Sequence, residues 1–199
     1  MTVDTKLSQA GAIFYDIEII AAIPMKGEKK DPALFYCEGW GDHKHMGISM
    51  ISVYDYVEQA YRIYLQDNLN EFNELIKERN IVMGFNNIRF DDKVVRCNGI
   101  DLPKHKSYDL YKTIMKTQQY GQGCSFSLNS LLTANNIKGK SGHGSDAPAL
   151  AQHGQWGKLI NYGMDDTRKS IQLVRLALSN NLKHPGNGSI MTVEVPWSN

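Results

Sequence analysis

Apolar residues fall in short runs separated by turn-forming ones, and the period of each run predicts an element. Residues 12–23, AIFYDIEIIAAI, are apolar apart from Asp16 and Glu18, the pattern of a strand buried in the centre of a sheet. The charged stretch PMKGEKKDP lies between Pro24 and Pro32 and predicts a hairpin loop or an excursion. Two more β-rich runs, LFYCEGW and MGISMISVYDY, flank the turn-like GDHKH, which predicts a three-stranded antiparallel meander. Over 57–79, apolar residues recur at helical spacing (Val57, Tyr61, Leu65, Leu69, Phe72, Ile76), and Asp67 and Asn68 can divide the run into two helices.

The second half alternates more regularly. IVMGF at 81–85 predicts a short buried strand, 91–98 a helix ending at Gly99, 107–110 a strand, and 110–118 a helix. SLNSLLTANN predicts another helix, KGKSGHGS at 138–145 a flexible loop, and 156–179 a long helix closed by Asn180, Asn181 and Pro185. Antiparallel strands followed by alternating β and α units predict an α/β fold, a mixed central sheet flanked by helices. One domain is expected over 1–185, with a tail over 186–199.

Composition narrows the function. The 199 residues carry 22 Lys and Arg against 21 Asp and Glu, a net charge of +1, which excludes a polybasic binder acting through bulk counterion release. The three cysteines, Cys37, Cys97 and Cys124, form no Cys-x-x-Cys pair; they predict reduced thiols rather than a disulfide framework or a zinc site. With no signal-like start and no membrane-length apolar run, a soluble, unprocessed protein of the cytoplasm is expected.

Three acidic elements stand out. Asp16 and Glu18 are two apart on a strand, so both carboxylates project from one face of the sheet. Burying them together is costly without a cation, and oxygen donors suit Mg2+ or Mn2+; an edge strand with solvated acids is the alternative. In GFNNIRFDD at 84–92, a strand ends, a polar turn follows and a helix opens on Asp91 and Asp92. Asp91 is either a ligand delivered from that helix start or an ordinary N-terminal acid. In YGMDDTRKS, Tyr162 and Asp166 are four apart and share a helix face, whereas Asp165 points about 100° away. A core-edge tyrosine and a surface acid near Lys169 are the other reading of that pair.

In this order the three elements resemble the DEDD-type 3'-5' exonucleases of the ribonuclease H-like superfamily, in their tyrosine-bearing variant. Asp16 and Glu18 in FYDIEI match the first motif, GFNNIRFD ending at Asp91 the second, and Tyr162 with Asp166 the Tyr-x-x-x-Asp third. The second motif is closest in style to the proofreading domains of family B DNA polymerases, and FSLNSLL and KLINYGMDDTRKSIQL resemble the family's later helices. Ile19 stands where the family usually carries threonine or serine, and the 24–32 insertion and WGDHKH have no counterpart.

The resemblance implies a ribonuclease H-like fold and a metal-dependent nuclease acting at the 3' end of nucleic acid, single-stranded DNA foremost. It implies two divalent ions, Mg2+ or Mn2+, held by Asp16, Glu18, Asp91 and Asp166, with Asp16 bridging, and Tyr162 orienting the attacking water. A polymerase or replication partner would act in trans. A non-catalytic nucleic-acid or protein binding module, and an enzyme for very short oligonucleotides, are the competing readings.

Phe85 is a candidate for stacking on a base or for the core, and Asn86 for holding the loop or touching substrate. Arg89, Lys138 and Lys140 are candidates for phosphate contact, although small charge clusters are more often simply solvated. His143 lies too far from Asp166 in sequence to replace Tyr162. Trp40 is expected to pack the meander, and Trp197 to offer an anchor to a partner.

Overall fold

The computed structural model describes residues 1–27, 29–117, 124–139, 142 and 144–197. Strands β1 (Ala12–Ile19), β2 (Ile48–Asp55), β3 (Ala60–Leu65), β4 (Ile81–Gly84) and β5 (Ser107–Asp109) form one sheet in the order β3-β2-β1-β4-β5. The β1–β2 and β2–β3 pairs are antiparallel, and β1–β4 and β4–β5 are parallel. Among the described residues the helices are α1 (Val3–Gln9), α2 (Leu69–Glu78), α3 (Asp91–Cys97), α4 (Leu110–Thr117), α5 (Leu128–Ala134), α6 (Ala147–Gln152) and α7 (Trp156–Leu178). A small hairpin, β6 (Leu182–Lys183) with β7 (Ile190–Met191), follows α7. No helix among the described residues is long and apolar enough to cross a membrane.

β1 is central because it is apolar on both faces. Its odd-numbered residues Ile13, Tyr15 and Ile17 join Phe72 and Ile76 of α2 and Val94 of α3 in one core. Ala12 and Phe14, on the other face, join Ile114, Leu131 and Ile171 from α4, α5 and α7. Helices therefore cover both faces, which satisfies parallel strands that must be buried on each side. The tail packs on its own chain: Met191 and Val193 are buried in the second core, and Trp197 lies against it with the Lys6 ammonium 5.5 Å from its ring centre. Trp197 thus serves the fold rather than standing out for a partner.

The meander exists, but with different members. LFYCEGW is not a strand; its one ladder contact is an isolated bridge between Ala22 and Tyr36. The third strand is instead β3, drawn from the stretch whose spacing predicts a helix. Val57, Tyr61 and Leu65 fit a helical period, yet AYRIYL is rich in aromatic and branched residues, and pairing with β2 from Asp55–Ala60 to Met50–Leu65 overrides the local preference. Gln59, at φ 53°, turns the chain between the two strands. Helix begins only at Leu69, after Asp67 and Asn68.

The end of β2 is locked to the end of α2 by Asp55 and Arg79. The Arg79 Nη2 and Nε donate to the two Asp55 oxygens at 2.8 and 3.2 Å, and both residues are buried. Burial alone would raise the Asp55 carboxyl; the bonds and charge of Arg79, with the N–H groups of Val57 and Glu58, outweigh it and hold the group below the usual carboxylate range. Asp55→Ala leaves the buried Arg79 guanidinium with the exposed Glu78 carboxylate, 3.5 Å away, in place of a buried partner, so it should cost about 3 kcal/mol in a urea titration at neutral pH. Because the folded-state value is depressed, that contribution is complete above the unfolded value of about 3.9. It is lost as the pH falls through the folded value, so the gap between wild type and variant should close in acid.

Candidate active site

Strand length opens the crevice. β1 pairs with the short β4 only from Ala12–Ile81 to Phe14–Met83, and beyond Phe14 it runs on without that neighbour. A strand continuing alone exposes backbone donors that need partners. The N–H of Ile17 finds one in the Asp91 carboxylate at 3.3 Å. The crevice thus forms past the carboxyl ends of the parallel strands β1 and β4, where open α/β sheets commonly bind ligands.

Asp16 and Glu18 leave β1 on the α7 side, in line with Ala12 and Phe14. α7 approaches closely because small residues meet there. A Cβ on Gly163 would lie 3.7 Å from the Glu18 Cγ and 2.2 Å from the Met50 methyl. The helix register is pinned by Ser52 of β2, whose hydroxyl bonds the Thr167 hydroxyl at 2.5 Å and donates to the Gly163 carbonyl at 3.3 Å. This sets Tyr162 and Asp166 over the strand carboxylates. Asp165, on another face, pairs with Lys169, whose ammonium also donates to the Gly139 carbonyl at 2.7 Å.

The two neighbouring aspartates of α3 divide their work. Asp92 is saturated: it accepts from the Tyr15 hydroxyl at 2.6 Å, Asn87 Nδ2 at 3.0 Å, the Ser107 hydroxyl at 2.6 Å and Arg96 Nη2 at 3.2 Å. It fixes the start of α3 to β1 and β5. Asp91 faces the crevice, where burial first and then the charge of Asp16 push its carboxyl well above the usual range. The Tyr162 phenol is also pushed up, by burial, by the charges of Glu18 and Asp166, by a hydrogen bond to Asp166 and by Asp16. Asp16, Glu18, Asp91, Tyr162 and Asp166 all line one cavity of about 500 Å³.

A second cavity, of about 650 Å³, meets the first at Asp16 and is lined by Phe85, Asn86, Arg89, Tyr111 and Phe126. The turn carrying the first three is held by Asp109, which accepts from the N–H groups of Asn86 at 2.9 Å and Ile88 at 3.2 Å. Asn86 takes φ 64°, which asparagine tolerates, and Gly84 leaves room for Asn87, which a Cβ would meet at 2.6 Å. Phe85 packs edge-on to Tyr111 at 5.5 Å, with part of its surface open. Lys138 is exposed and lines neither cavity. Lys140 and His143 lie outside the described residues. Asp92, Asp109, Ser52 and Gly163 support the site without having been readable as its parts; the acid beside a motif acid was the one available signal.

No family model matches the chain, and no curated protein does. Solved structures do. A family B DNA polymerase from the hyperthermophilic archaeon Pyrobaculum calidifontis is similar with a TM-score of 0.52 and 12% identity, over 81% of this chain and 24% of the polymerase. RNase D from Trypanosoma brucei is similar with a TM-score of 0.50 and 14% identity, over 96% of this chain and 71% of that one. The fold is ribonuclease H-like. The chain spans about a quarter of the polymerase's length.

In this ribonuclease H-like fold the acidic crevice suits a hard cation. No group of three or more His, Cys, Asp or Glu side chains among the described residues is already arranged around one ion. The crevice carboxylates nevertheless fit a divalent ion: the donors are oxygens, and a positive charge would offset the like charges that, after burial, help to raise Asp91 and Tyr162. Asp91→Asn should therefore raise thermal stability in chelator, whereas Asp92→Ala should lower it by about 3 kcal/mol. Adding Mn2+ should stabilise wild type more than Asp91→Asn, and equal shifts in calorimetry would count against a cation at this site.

Proposed function

We propose that this protein is a metal-dependent 3'-5' exonuclease of the tyrosine-bearing DEDD type, removing nucleotides from a free 3' end, single-stranded DNA foremost. The observation that carries the reading is the meeting of Asp16, Glu18, Asp91, Tyr162 and Asp166, from three distant stretches of chain, in one cavity. The likeness of fold to a DNA polymerase and to RNase D supports a nucleic-acid substrate. A polymerase acting in trans is the partner this role implies.

Asp16, Glu18, Asp91 and Asp166 would be the residues to hold two Mg2+ or Mn2+ ions. When bound, such ions supply a nucleophile at neutral pH and stabilise charge in an in-line displacement. Water adds to the last phosphorus, and the bond to the 3'-oxygen of the preceding residue breaks. One water proton ends on that leaving oxygen and the other is lost from the new 5'-phosphate. Tyr162 stays a phenol, since its surroundings favour the protonated form; it orients the water by hydrogen bonding rather than acting as a base. Phe85, Asn86 and Arg89 would hold the upstream strand by stacking and phosphate contact along the second cavity. Lys138, on the loop whose Gly142 lies against the Tyr162 ring, and Lys140 would extend the phosphate track.

Digestion of 5'-labelled single-stranded DNA and RNA tests this directly. A ladder shortening from the 3' end is expected with Mg2+ or Mn2+ and none with chelator. Asp16→Ala and Asp166→Ala should slow it by about a thousandfold, and Tyr162→Phe by less, about a hundredfold. Absence of shortening with either metal, alongside unchanged nucleic-acid binding by Asp16→Ala, would favour a binding module.

A further inference from the structure

Residues 20–47 leave the sheet between β1 and β2 and return, and the described residues among them form no strand. They are nonetheless held in place. Gln152 of α6 donates to the carbonyls of Ile20 at 2.8 Å and Phe35 at 3.0 Å, and its oxygen accepts the Phe35 N–H at 2.7 Å. The N–H groups of Ala22 and Cys37 donate to the carbonyls of Phe35 and Ala22. One glutamine thus clips both limbs of the excursion to the body of the protein, beside the crevice.

The side of the excursion lining the crevice is apolar and aromatic. Ile23, Met25, Leu34, Tyr36 and Trp40 line the same cavity as Asp16 and Asp166. Trp40 is 61% exposed instead of packed in a meander, and it meets Phe90, the residue before Asp91, edge-on at 5.9 Å. Lys29 and Lys30 are the cationic side chains of that lining, and the Lys30 ammonium sits 5.2 Å from the Tyr36 ring centre. An exposed tryptophan and an apolar wall beside carboxylates and ammonium groups call for a ligand with a flat apolar face and an anionic group. The volume, about 500 Å³, falls within the range of small-ligand sites, about 300–1,000 Å³. The second cavity joins this one at Asp16, so a strand lying along Phe85 and Phe126 reaches the crevice at its end.

We propose that the 20–47 excursion is a clamp for a terminal nucleotide, in which Trp40 and Tyr36 receive the base and Lys29 and Lys30 the phosphate charge. Its place in the reaction rests on the exonuclease reading; its ability to bind a nucleotide does not. The clamp makes an unpaired last nucleotide the recognised feature of the substrate, because a paired last base must leave its partner before it can enter the crevice alone.

Mononucleotide binding tests the clamp apart from catalysis. In Mg2+, dAMP and AMP should quench tryptophan fluorescence of the wild type, and this quench should vanish in Trp40→Phe, leaving the signals of Trp156 and Trp197. In equilibrium dialysis, Trp40→Ala should weaken dAMP by about tenfold or more, and Trp40→Tyr should recover part of the loss. Replacing Lys29 and Lys30 by alanine should weaken dAMP but not adenosine. On long single strands, Trp40→Ala should raise KM more than it lowers kcat. Inorganic phosphate quenching as strongly as dAMP, or dAMP affinity indifferent to Trp40, would overturn the clamp. Shortening of strands with KM and dAMP affinity unmoved in Trp40→Ala would sink the clamp and keep the exonuclease; dAMP binding through Trp40 without any shortening would do the reverse.

Discussion

Several carboxylates in one partly buried cleft repel one another, and the architecture around the cleft exists to offset that cost. Asp16 and Glu18 sit on the central strand, Asp91 at a helix start and Asp166 on α7, so three rigid elements carry the four acids. None of these positions could be held by the acids themselves, because their mutual interaction pushes them apart. The restraint comes from neutral or saturated neighbours: Asp92 with its four donors, the Ser52–Thr167 pair, and the close passage of Gly163.

The same division appears along the chain as pairs of adjacent residues with opposite duties. Asp91 faces the crevice while Asp92 faces the core, and Asp166 faces the crevice while Asp165 pairs with Lys169. Helical geometry turns consecutive side chains about 100° apart, so one step in sequence separates an acid that lines the crevice from one bonded elsewhere. Asp16 lines both cavities.

Much of this was legible in sequence wherever the signal is local. The period-two spacing of Asp16 and Glu18, the four-residue step from Tyr162 to Asp166, and the runs that became β4, α3 and α7 are properties of short segments. What was not legible depends on distant partners. AYRIYL reads as helix until β2 is available to pair with it. Tyr15 and Asp92 lie 77 positions apart, and nothing in either segment announces their bond. Trp40 looks like a core residue by type alone, and only the path of the excursion leaves it in the open. Asp109, which shapes the turn before α3, looks like any acid at the end of a short strand.

α7 joins two duties in one uninterrupted rod. Its first half carries Tyr162 and Asp166, and its second half buries Ile171, Val174, Ala177 and Leu178 in the main core. A helix transmits displacement along its axis with little give, so repacking at its far end is felt where Tyr162 and Asp166 stand. Variation among descendants of this chain is therefore constrained well beyond the crevice itself: the hidden half of α7 is bound to the same fate as the acids it steers.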